Sequence, residues 1–211
     1  MLDCVLGSPG FIPFLKGGSC LAQDNPAANQ KDVDPRNPGK CGLALSSFSL
    51  EDGTVNIVLE AHNLAKDRPG FQSSLYPHPI VGAASKAVDG NCGGDWFKDG
   101  SCTHTGFEME PWWYVDLGDQ YAISAVVVKN RGDCCGERLQ GAQIRVGDSV
   151  ADHGKSSPLS GTITDTRLGS VSTLYCNWLK GRYVSIRIPG WAEFLHVCEV
   201  EVYGTKPEDT C

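Results

Sequence analysis

The chain has little that would place it in a membrane or on a nucleic acid. Its longest apolar stretch, residues 122–128, is interrupted by Ser124 and is far shorter than the roughly 20 residues that a membrane-spanning helix needs. Basic residues are in the minority, with 18 Lys and Arg against 25 Asp and Glu and a net charge of −7. Because a phosphate-rich partner needs a basic face, this balance argues against nucleic acid. We expect neither a nucleic-acid partner nor membrane insertion.

The chain also lacks any Asn-x-Ser/Thr site for N-glycosylation and shows little zinc-like cysteine spacing. It does contain ten cysteines, an even number that predicts a disulfide framework formed in an oxidising compartment. Its first four residues lack the basic and apolar regions of a signal peptide. We therefore expect an exported, extracellular protein whose targeting segment is not part of this sequence.

Residues 1–53 differ in composition from the rest of the chain. They contain seven Gly, five Pro and three Cys and show no helical periodicity. We interpret them as a loop-rich extension held by Cys4, Cys20 and Cys41. Because three is an odd number, at least one of these cysteines pairs elsewhere, and Cys211 is the natural candidate.

From residue 54 onward the hydrophobic period becomes two. Alternation is visible in four segments: residues 122–128, 143–146, 183–188 and 197–203. Helical stretches are scarce, and residues 58–65 are the best short candidate. Short alternating strands separated by polar loops predict an all-β, antiparallel β-sandwich with binding loops at one end.

The clearest chemistry lies in residues 131–138, where Arg131 and Arg138 flank the adjacent Cys134 and Cys135. A guanidinium is a rigid fork of donors that grips vicinal hydroxyls or a carboxylate at two points. His104, further upstream, adds an imidazole that donates or accepts. Each residue alone is more often a solvated loop side chain. Together they favour a site that holds a small polar ligand.

The two adjacent cysteines allow two interpretations. A bond between them closes a strained eight-membered ring, and strained disulfides are more often functional than structural. Such a bond offers a flat, apolar ledge for one face of a sugar. Alternatively, Cys134 and Cys135 each pair with a distant cysteine.

A second group of residues is rich in oxygen ligands. Asp89, Asn91, Ser101 and Glu199 suit a hard cation such as calcium. Their spacing is not that of an EF-hand loop, and from the residues alone, turn residues near a sheet edge are the better interpretation.

Catalytic and integrin-binding interpretations are weaker. Cys102 and His104 resemble a thiol with a base, but a cysteine of an exported protein is expected to be oxidised. Glu108 and Glu110 read as solvated loop charges, and nothing singles out a carboxylate pair for glycoside hydrolysis. The tripeptide at 131–133 matches an integrin motif, although such short matches often arise by chance. We expect no catalytic activity.

The spacing of these residues resembles a known signature. His104, 26 intervening residues, Arg131-x-Asp133, four more residues and Arg138 match the F-type lectins, or fucolectins. Flanking motifs agree in order: residues 71–74, 87–91, 100–105, 111–117, 130–138 and 181–184. The resemblance covers residues 54–205, which leaves 1–53 as an amino-terminal extension without a family counterpart and 206–211 as a tail.

The resemblance implies a discoidin-like (F5/8 type C-like) jelly-roll sandwich of about eight strands that binds α-L-fucose in a shallow pocket. His104, Arg131 and Arg138 would hydrogen-bond the sugar's ring oxygen and hydroxyls, and Asp133 would orient an arginine. The Cys134–Cys135 disulfide would pack against the ring, and a nearby loop residue would meet the C6 methyl.

The family's structural calcium would brace the loop that carries His104. Its ligands would be the carboxylates and hydroxyl of Asp89, Glu199 and Ser101 and the main-chain carbonyls near Lys86, Asn91 and Cys198.

The resemblance also implies a Cys102–Cys198 disulfide. A family cysteine at the position of Cys176 often pairs with a partner near residue 160, and this chain has none there. Cys92 is an extra cysteine, which we pair with Cys176 or with the amino-terminal extension. Both alternatives remain open.

We therefore expect a secreted, calcium-containing lectin for terminal α-L-fucose on glycans, in innate immune recognition or in cell or gamete adhesion. One domain per chain favours a homo-oligomer, because avidity then offsets weak binding. The alternative is a discoidin-like adhesion module that binds protein or anionic lipid through loop tips, supplied by Trp96-Phe97 and residues 75–79.

Overall fold

The computed structural model describes residues 44–51, 54–60 and 62–207, with side chains from residue 62 onward. Strands dominate these ranges: β1 (Ala44–Glu51), β2 (Thr54–Glu60), β3 (Gly70–Gln72), β4 (Glu108–Met109), β5 (Trp112–Lys129), β6 (Gln143–Gly147), β7 (Leu159–Thr162), β8 (Val171–Arg187), β9 (Ala192–Glu193) and β10 (Glu199–Thr205). Within these described ranges, helical structure is limited to the 3-10 turns Ala84–Val88 and Gly136–Leu139 and one α-helical turn, α1 (Trp96–Asp99). The predicted all-β class is confirmed.

The main sheet is antiparallel, in the order β10-β5-β8-β6-β7, with β3 paired to β5. The first half of β5 pairs with β3 and with the end of β8. After register shifts, the second half pairs with β10 and with the start of β8. The two halves of the sheet therefore form the two layers of a sandwich, joined through β5 and β8.

The core lies between these layers because strand side chains alternate between faces. In β5, Trp113, Val115 and Leu117 are buried, whereas Trp112 and Tyr114 are half-exposed. Buried apolar residues from β5, β6, β8 and β10 form one cluster. Each large apolar side chain in it contributes about 1.5–3 kcal/mol of transfer free energy.

The alternation in residues 122–128 is interrupted. A strict period of two places Ile123 and Val127 on one face, but the core contains Ile123 together with Val126 and Val128. The cause is one extra residue in β5 relative to β10, because Tyr203 pairs with Ala125 whereas the next residue, Gly204, pairs with Ile123. An extra residue in one strand reverses the face of every side chain that follows it.

The helix predicted for residues 58–65 is wrong. Its first part belongs to β2, which pairs with β1, and residues 64–67 form a turn. β2 is rich in β-branched residues, which favour a strand. The β1–β2 hairpin crosses the predicted boundary at residues 53 and 54, so the domain division stays a prediction. Cys4, Cys20, Cys41 and Cys211 lie outside the described residues.

In the described part of the chain, no helix is long and apolar enough to span a membrane.

Candidate functional site

The segment that carries His104 is fixed to the segment that precedes β10. The Thr103 amide donates to the Val197 carbonyl at 2.8 Å, and the Thr105 amide donates to Leu195 at 3.0 Å. A disulfide between Cys102 and Cys198, the pairing that the resemblance implies, lies at one end of this contact. His104 is therefore held at a defined position beside the loop that follows β5.

That loop, residues 130–138, is shaped by Asn130. Its side-chain amide donates to the carbonyl of Gly136 at 3.0 Å, and its oxygen accepts from the amide of Arg131 at 2.8 Å. Gly136 is required for close packing, because a Cβ there would lie 2.4 Å from the carbonyl oxygen of Thr166. The loop thus closes on itself and projects its charged side chains from a rigid base.

Arg131 is almost fully buried, with 2% of its surface exposed. Its Nε and Nη2 both donate to the carboxylate of Asp133 at 2.6 Å. This contact is the one expected if Asp133 orients the arginine. Its guanidinium carbon lies 4.8 Å from the ring centre of Trp96 and 5.5 Å from that of Phe97. A bidentate pair stacked on aromatic rings fixes the direction of the remaining N–H groups.

Asp133 is ionised in this arrangement. Burial opposes its ionisation, but the hydrogen bonds from Arg131 and from the amide of Trp96 outweigh this effect, and the pKa of the carboxyl lies below its ordinary value. Arg131 and Asp133 thus form a bidentate ion pair.

Arg138 is held more loosely. It stands on the 3-10 turn Gly136–Leu139, and its guanidinium carbon lies 4.6 Å from the ring centre of Phe194. Its Nε is 3.6 Å from a carboxylate oxygen of Glu193, and its side chain remains about a quarter exposed. Arg138 therefore presents donors toward solvent at the same end of the sandwich.

His104 supplies an acceptor. Its Nδ1 lies 2.8 Å from the carbonyl oxygen of Thr105, and because a carbonyl only accepts, this nitrogen carries the proton. Burial lowers the pKa of the imidazole below 6.5, and the charges of Arg131 and Arg138 lower it further. At neutral pH, His104 is thus uncharged, with Nε2 as an acceptor.

Aromatic rings surround His104. The ring of Tyr76 stacks on the imidazole at 4.5 Å between centres, with Trp96 at 4.8 Å and Phe194 at 5.4 Å. Sequence reasoning named Tyr76 and Trp96 only as exposed loop tips, but Trp96 is buried. It missed Phe194 entirely, because no local motif marks a residue that long-range backbone pairing brings to the site.

The adjacent cysteines are bonded to each other. Cys135 has a left-handed backbone, with φ of 60°, and immediately precedes the 3-10 turn that carries Arg138. Both cysteines are half-buried. The interpretation in which each pairs with a distant cysteine is therefore wrong.

The predicted Cys92–Cys176 disulfide is also wrong. Cys176 is a free, buried thiol in the apolar core, where the hydroxyl of Ser160 lies 2.9 Å from its sulfur. Burial raises the pKa of this thiol to about 11. Cys92 lies in an exposed loop and is disulfide-bonded, but not to Cys176. The other alternative, a bond between Cys92 and the amino-terminal extension, involves residues that lie outside the described ranges.

The residues predicted to bind calcium centre on Glu199. This carboxylate is fully buried, and neither oxygen has a hydrogen-bond partner. Burial, together with the charges of Glu201 and Asp89, raises its pKa to about 9. The backbone amide of Gly90 acts in the opposite sense and lowers this pKa.

The other residues of this set differ in how deeply they are buried. Ser101 is fully buried, whereas Asp89 and Asn91 are exposed and joined by a hydrogen bond from the Asn91 amide at 2.9 Å. The Lys86 ammonium lies 3.9 Å from Asp89. Between residues 62 and 207, no three His, Cys, Asp or Glu side chains cluster in a way that suits a metal. The predicted set contains only two carboxylates and relies on hydroxyl and carbonyl oxygens.

Residues considered for other functions have structural roles. Arg131 is turned inward to Asp133, so it is not available to an integrin. Cys102 is in a disulfide, so it is not a nucleophile. Glu108 accepts from the hydroxyl of Ser73 at 2.6 Å, and Glu110 accepts from Arg187.

Comparison with known proteins agrees with this geometry. A family model described as a NedA-like, galactose-binding domain of the F5/F8 type C group matches residues 86–186. A fucolectin of Anguilla anguilla is 44% identical over 131 residues, which cover 62% of this chain and 82% of that protein.

Solved structures give the same result. The f-lectin (fucolectin) from the serum of striped bass, Morone saxatilis, is 41% identical, with a TM-score of 0.64 over 72% of this chain and about half (51%) of that chain. The lectin domain of lectinolysin, solved with Lewis B antigen, is 29% identical, with a TM-score of 0.59 over 68% of this chain and 97% of that chain. The 44% identity between this chain and the Anguilla anguilla fucolectin extends over 82% of that protein and shows common descent. The chain therefore belongs to the fucolectin, or F-type lectin, family.

Proposed function

We propose that this protein is a lectin that binds terminal α-L-fucose on glycans through His104, Arg131 and Arg138. The observation that carries the proposal is the convergence of two guanidinium groups and one neutral imidazole at the loop end of the sandwich. The names of the Anguilla and striped-bass relatives support the same ligand.

The three side chains match the hydrogen-bonding capacity of a sugar. A hydroxyl both donates and accepts, so it can donate to Nε2 of His104 and accept from Arg131 or Arg138. The ring oxygen only accepts and suits a guanidinium donor. Such charge-assisted hydrogen bonds contribute about 1.5–3 kcal/mol each. Competition from water at an exposed pocket reduces this contribution to the binding free energy. Monosaccharide affinity is therefore expected to be weak.

The Cys134–Cys135 disulfide contributes an apolar surface beside these donors. Bonded sulfur atoms are soft and apolar, and they suit the C–H face of a sugar ring. The pocket holds its ligand without an acid or base placed to cleave it, and the family relatives are lectins rather than enzymes.

Calcium is part of the proposal. The support is the buried Glu199 carboxylate, whose oxygens lack hydrogen bonds and whose pKa is raised to about 9. Asp89, Ser101 and the carbonyls of Lys86, Asn91 and Cys198 would complete an oxygen set of the kind that calcium takes. When bound, the ion would supply a fixed positive charge next to the segment that leads to His104.

We also propose that the protein is secreted and that it acts as a homo-oligomer in innate immune recognition or in cell or gamete adhesion. Ten cysteines and the serum origin of the striped-bass lectin support secretion. Weak single sites become effective when several bind one surface together.

The test is a calorimetric titration of the protein with methyl α-L-fucoside. Arg138→Ala should abolish detectable binding while thermal stability changes little, because this side chain is partly exposed and its ion pair is loose. Arg182→Ala is the matched control, because Arg182 is also ion-paired and also lies over a ring, that of Tyr183. Binding that survives Arg138→Ala would refute the pocket assignment.

Exposed apolar loop tips favour one rival function, a module that binds protein or anionic lipid. Phe97 is 60% exposed and Leu75 is 51% exposed. A glycan array run with and without free fucose separates the two functions. The lectin proposal expects free fucose to remove all binding, and attachment that ignores free fucose would favour the rival.

A further inference from the structure

An exposed apolar surface continues outward from the pocket along β4. Phe107 is 63% exposed and Met109 is 64% exposed, and apolar side chains that are exposed close together can mark a binding surface. We call this surface, Phe107 and Met109 together, the β4 platform.

The pairing of β4 with β9 places this surface beside the segment that carries Phe194. Glu108 pairs with Glu193 and Met109 with Ala192. Side chains alternate along a strand, so Glu108 and Met109 point to opposite faces of β4. Phe107 immediately precedes β4 and is exposed like Met109. Glu108 points to the other face, where its carboxylate accepts from the Ser73 hydroxyl.

Phe194 joins the platform to the pocket. Its ring lies 5.3 Å from that of Phe107, 5.4 Å from the imidazole of His104 and 4.6 Å from the guanidinium carbon of Arg138. One aromatic ring therefore separates the platform from two of the groups proposed to hold fucose. A sugar attached to that fucose has the platform within reach.

We infer that the β4 platform binds the sugar next to the fucose and that it prefers an N-acetylhexosamine. This inference rests on the proposed fucose pocket. A phenyl ring packs against the C–H face of a pyranose, and the flexible thioether of Met109 suits an acetamido methyl group. The carboxylates nearby, Glu108 and Glu193, and the net charge of −7 disfavour an anionic sugar.

The test compares the affinities of three probes: methyl α-L-fucoside, the disaccharide fucosyl-α1,3-N-acetylglucosamine and the disaccharide fucosyl-α1,2-galactose. The parent protein should bind the N-acetylglucosamine disaccharide about three- to tenfold more tightly than the methyl fucoside, with a smaller gain for the galactose disaccharide. Phe107→Ser and Met109→Ser should each reduce this gain and leave methyl fucoside binding unchanged. Both side chains are exposed, so both variants should fold.

Leu159→Ser is the matched control, because Leu159 is an exposed apolar residue on β7, away from the pocket. A gain that is absent in the parent, or that survives both β4 substitutions, would overturn the inference. Equal losses for the methyl fucoside and the disaccharide would also overturn it. Binding to glycan-free phosphatidylserine vesicles that is lost in the same variants would assign the platform to lipid instead. Failure of the parent to bind any fucoside would show that the proposed function itself is wrong.

Discussion

The pocket region and the Glu199 region both bury an ionisable side chain, but its surroundings differ between them. In the pocket, Arg131 donates twice to Asp133 and stacks on Trp96. In the other region, Glu199 has no hydrogen-bond partner, and the charges of Asp89 and Glu201 oppose its ionisation. The two regions are joined by the Cys102–Cys198 disulfide.

The difference indicates which partner each buried side chain needs. A buried ion is tolerated when its partner and hydrogen bonds are present, and it is strongly unfavourable when they are absent. The pocket is therefore preorganised before a sugar arrives, which lowers the entropic cost of binding. The Glu199 region is expected to reach its full stability only with a cation. The predictions below test this contrast.

Removing the partner of Arg131 should have the largest effect. Asp133→Ala leaves a buried guanidinium unpaired, which costs about 3 kcal/mol of unfolding free energy and lowers the melting temperature by about 6–12 °C. Thermal unfolding measures this change. Asp165→Ala is the control, because it also removes an aspartate that is paired with an arginine, in this case the largely exposed Arg167. Its effect on the melting temperature should be much smaller. Equal losses in the two variants would contradict a preorganised pocket.

Removal of calcium should have the next largest effect. A ligand present at about a hundredfold excess over its Kd stabilises by about 2.7 kcal/mol, so a chelator should lower the melting temperature by about 5–10 °C. Glu199→Gln should abolish this response, because the amide has no charge to offer the cation. A parent protein that melts at the same temperature with calcium and with chelator would contradict the proposed site.

Loss of the apolar ledge should weaken the sugar site without unfolding the protein. With both Cys134 and Cys135 changed to Ser, affinity for methyl α-L-fucoside should fall about three- to tenfold, because the ring loses its contact with the sulfur atoms. Titration measures the affinity, and the melting temperature serves as the folding control. Unchanged affinity would show that the disulfide does not touch the sugar.

Acid should have the smallest effect. Burial and the two arginines hold the pKa of His104 below 6.5, so the neutral imidazole predominates at pH 6.5 and above, and protonation requires more acidic pH than for an ordinary histidine. Fucoside affinity should therefore stay constant from about pH 8 to pH 6.5 and decrease below that range, as Nε2 loses its lone pair. Affinity that decreases already near neutral pH would contradict a neutral His104.

The pocket was predictable where its residues lie close together in the sequence. Residues 131–138 carry both arginines, the orienting aspartate and the cysteine pair, and the sequence motif links them to His104. Phe194 and Glu193 were not predictable, because they reach the site only through backbone pairing between residues 103–105 and 195–197.

Sequence periodicity predicted the strands but not their irregularities. The register shift after Ile123 changes which side chains enter the core, and no local pattern marks it. The family resemblance left Cys92 as one possible partner of Cys176, yet this thiol is buried in the core beside Ser160, away from the exposed Cys92.

Electron density for methyl α-L-fucoside in a crystal of the protein tests the central claim most directly. The account predicts a sugar held by His104, Arg131 and Arg138, with the Cys134–Cys135 disulfide against its ring. Density for the sugar at any other place, with these three side chains free of it, would contradict the account.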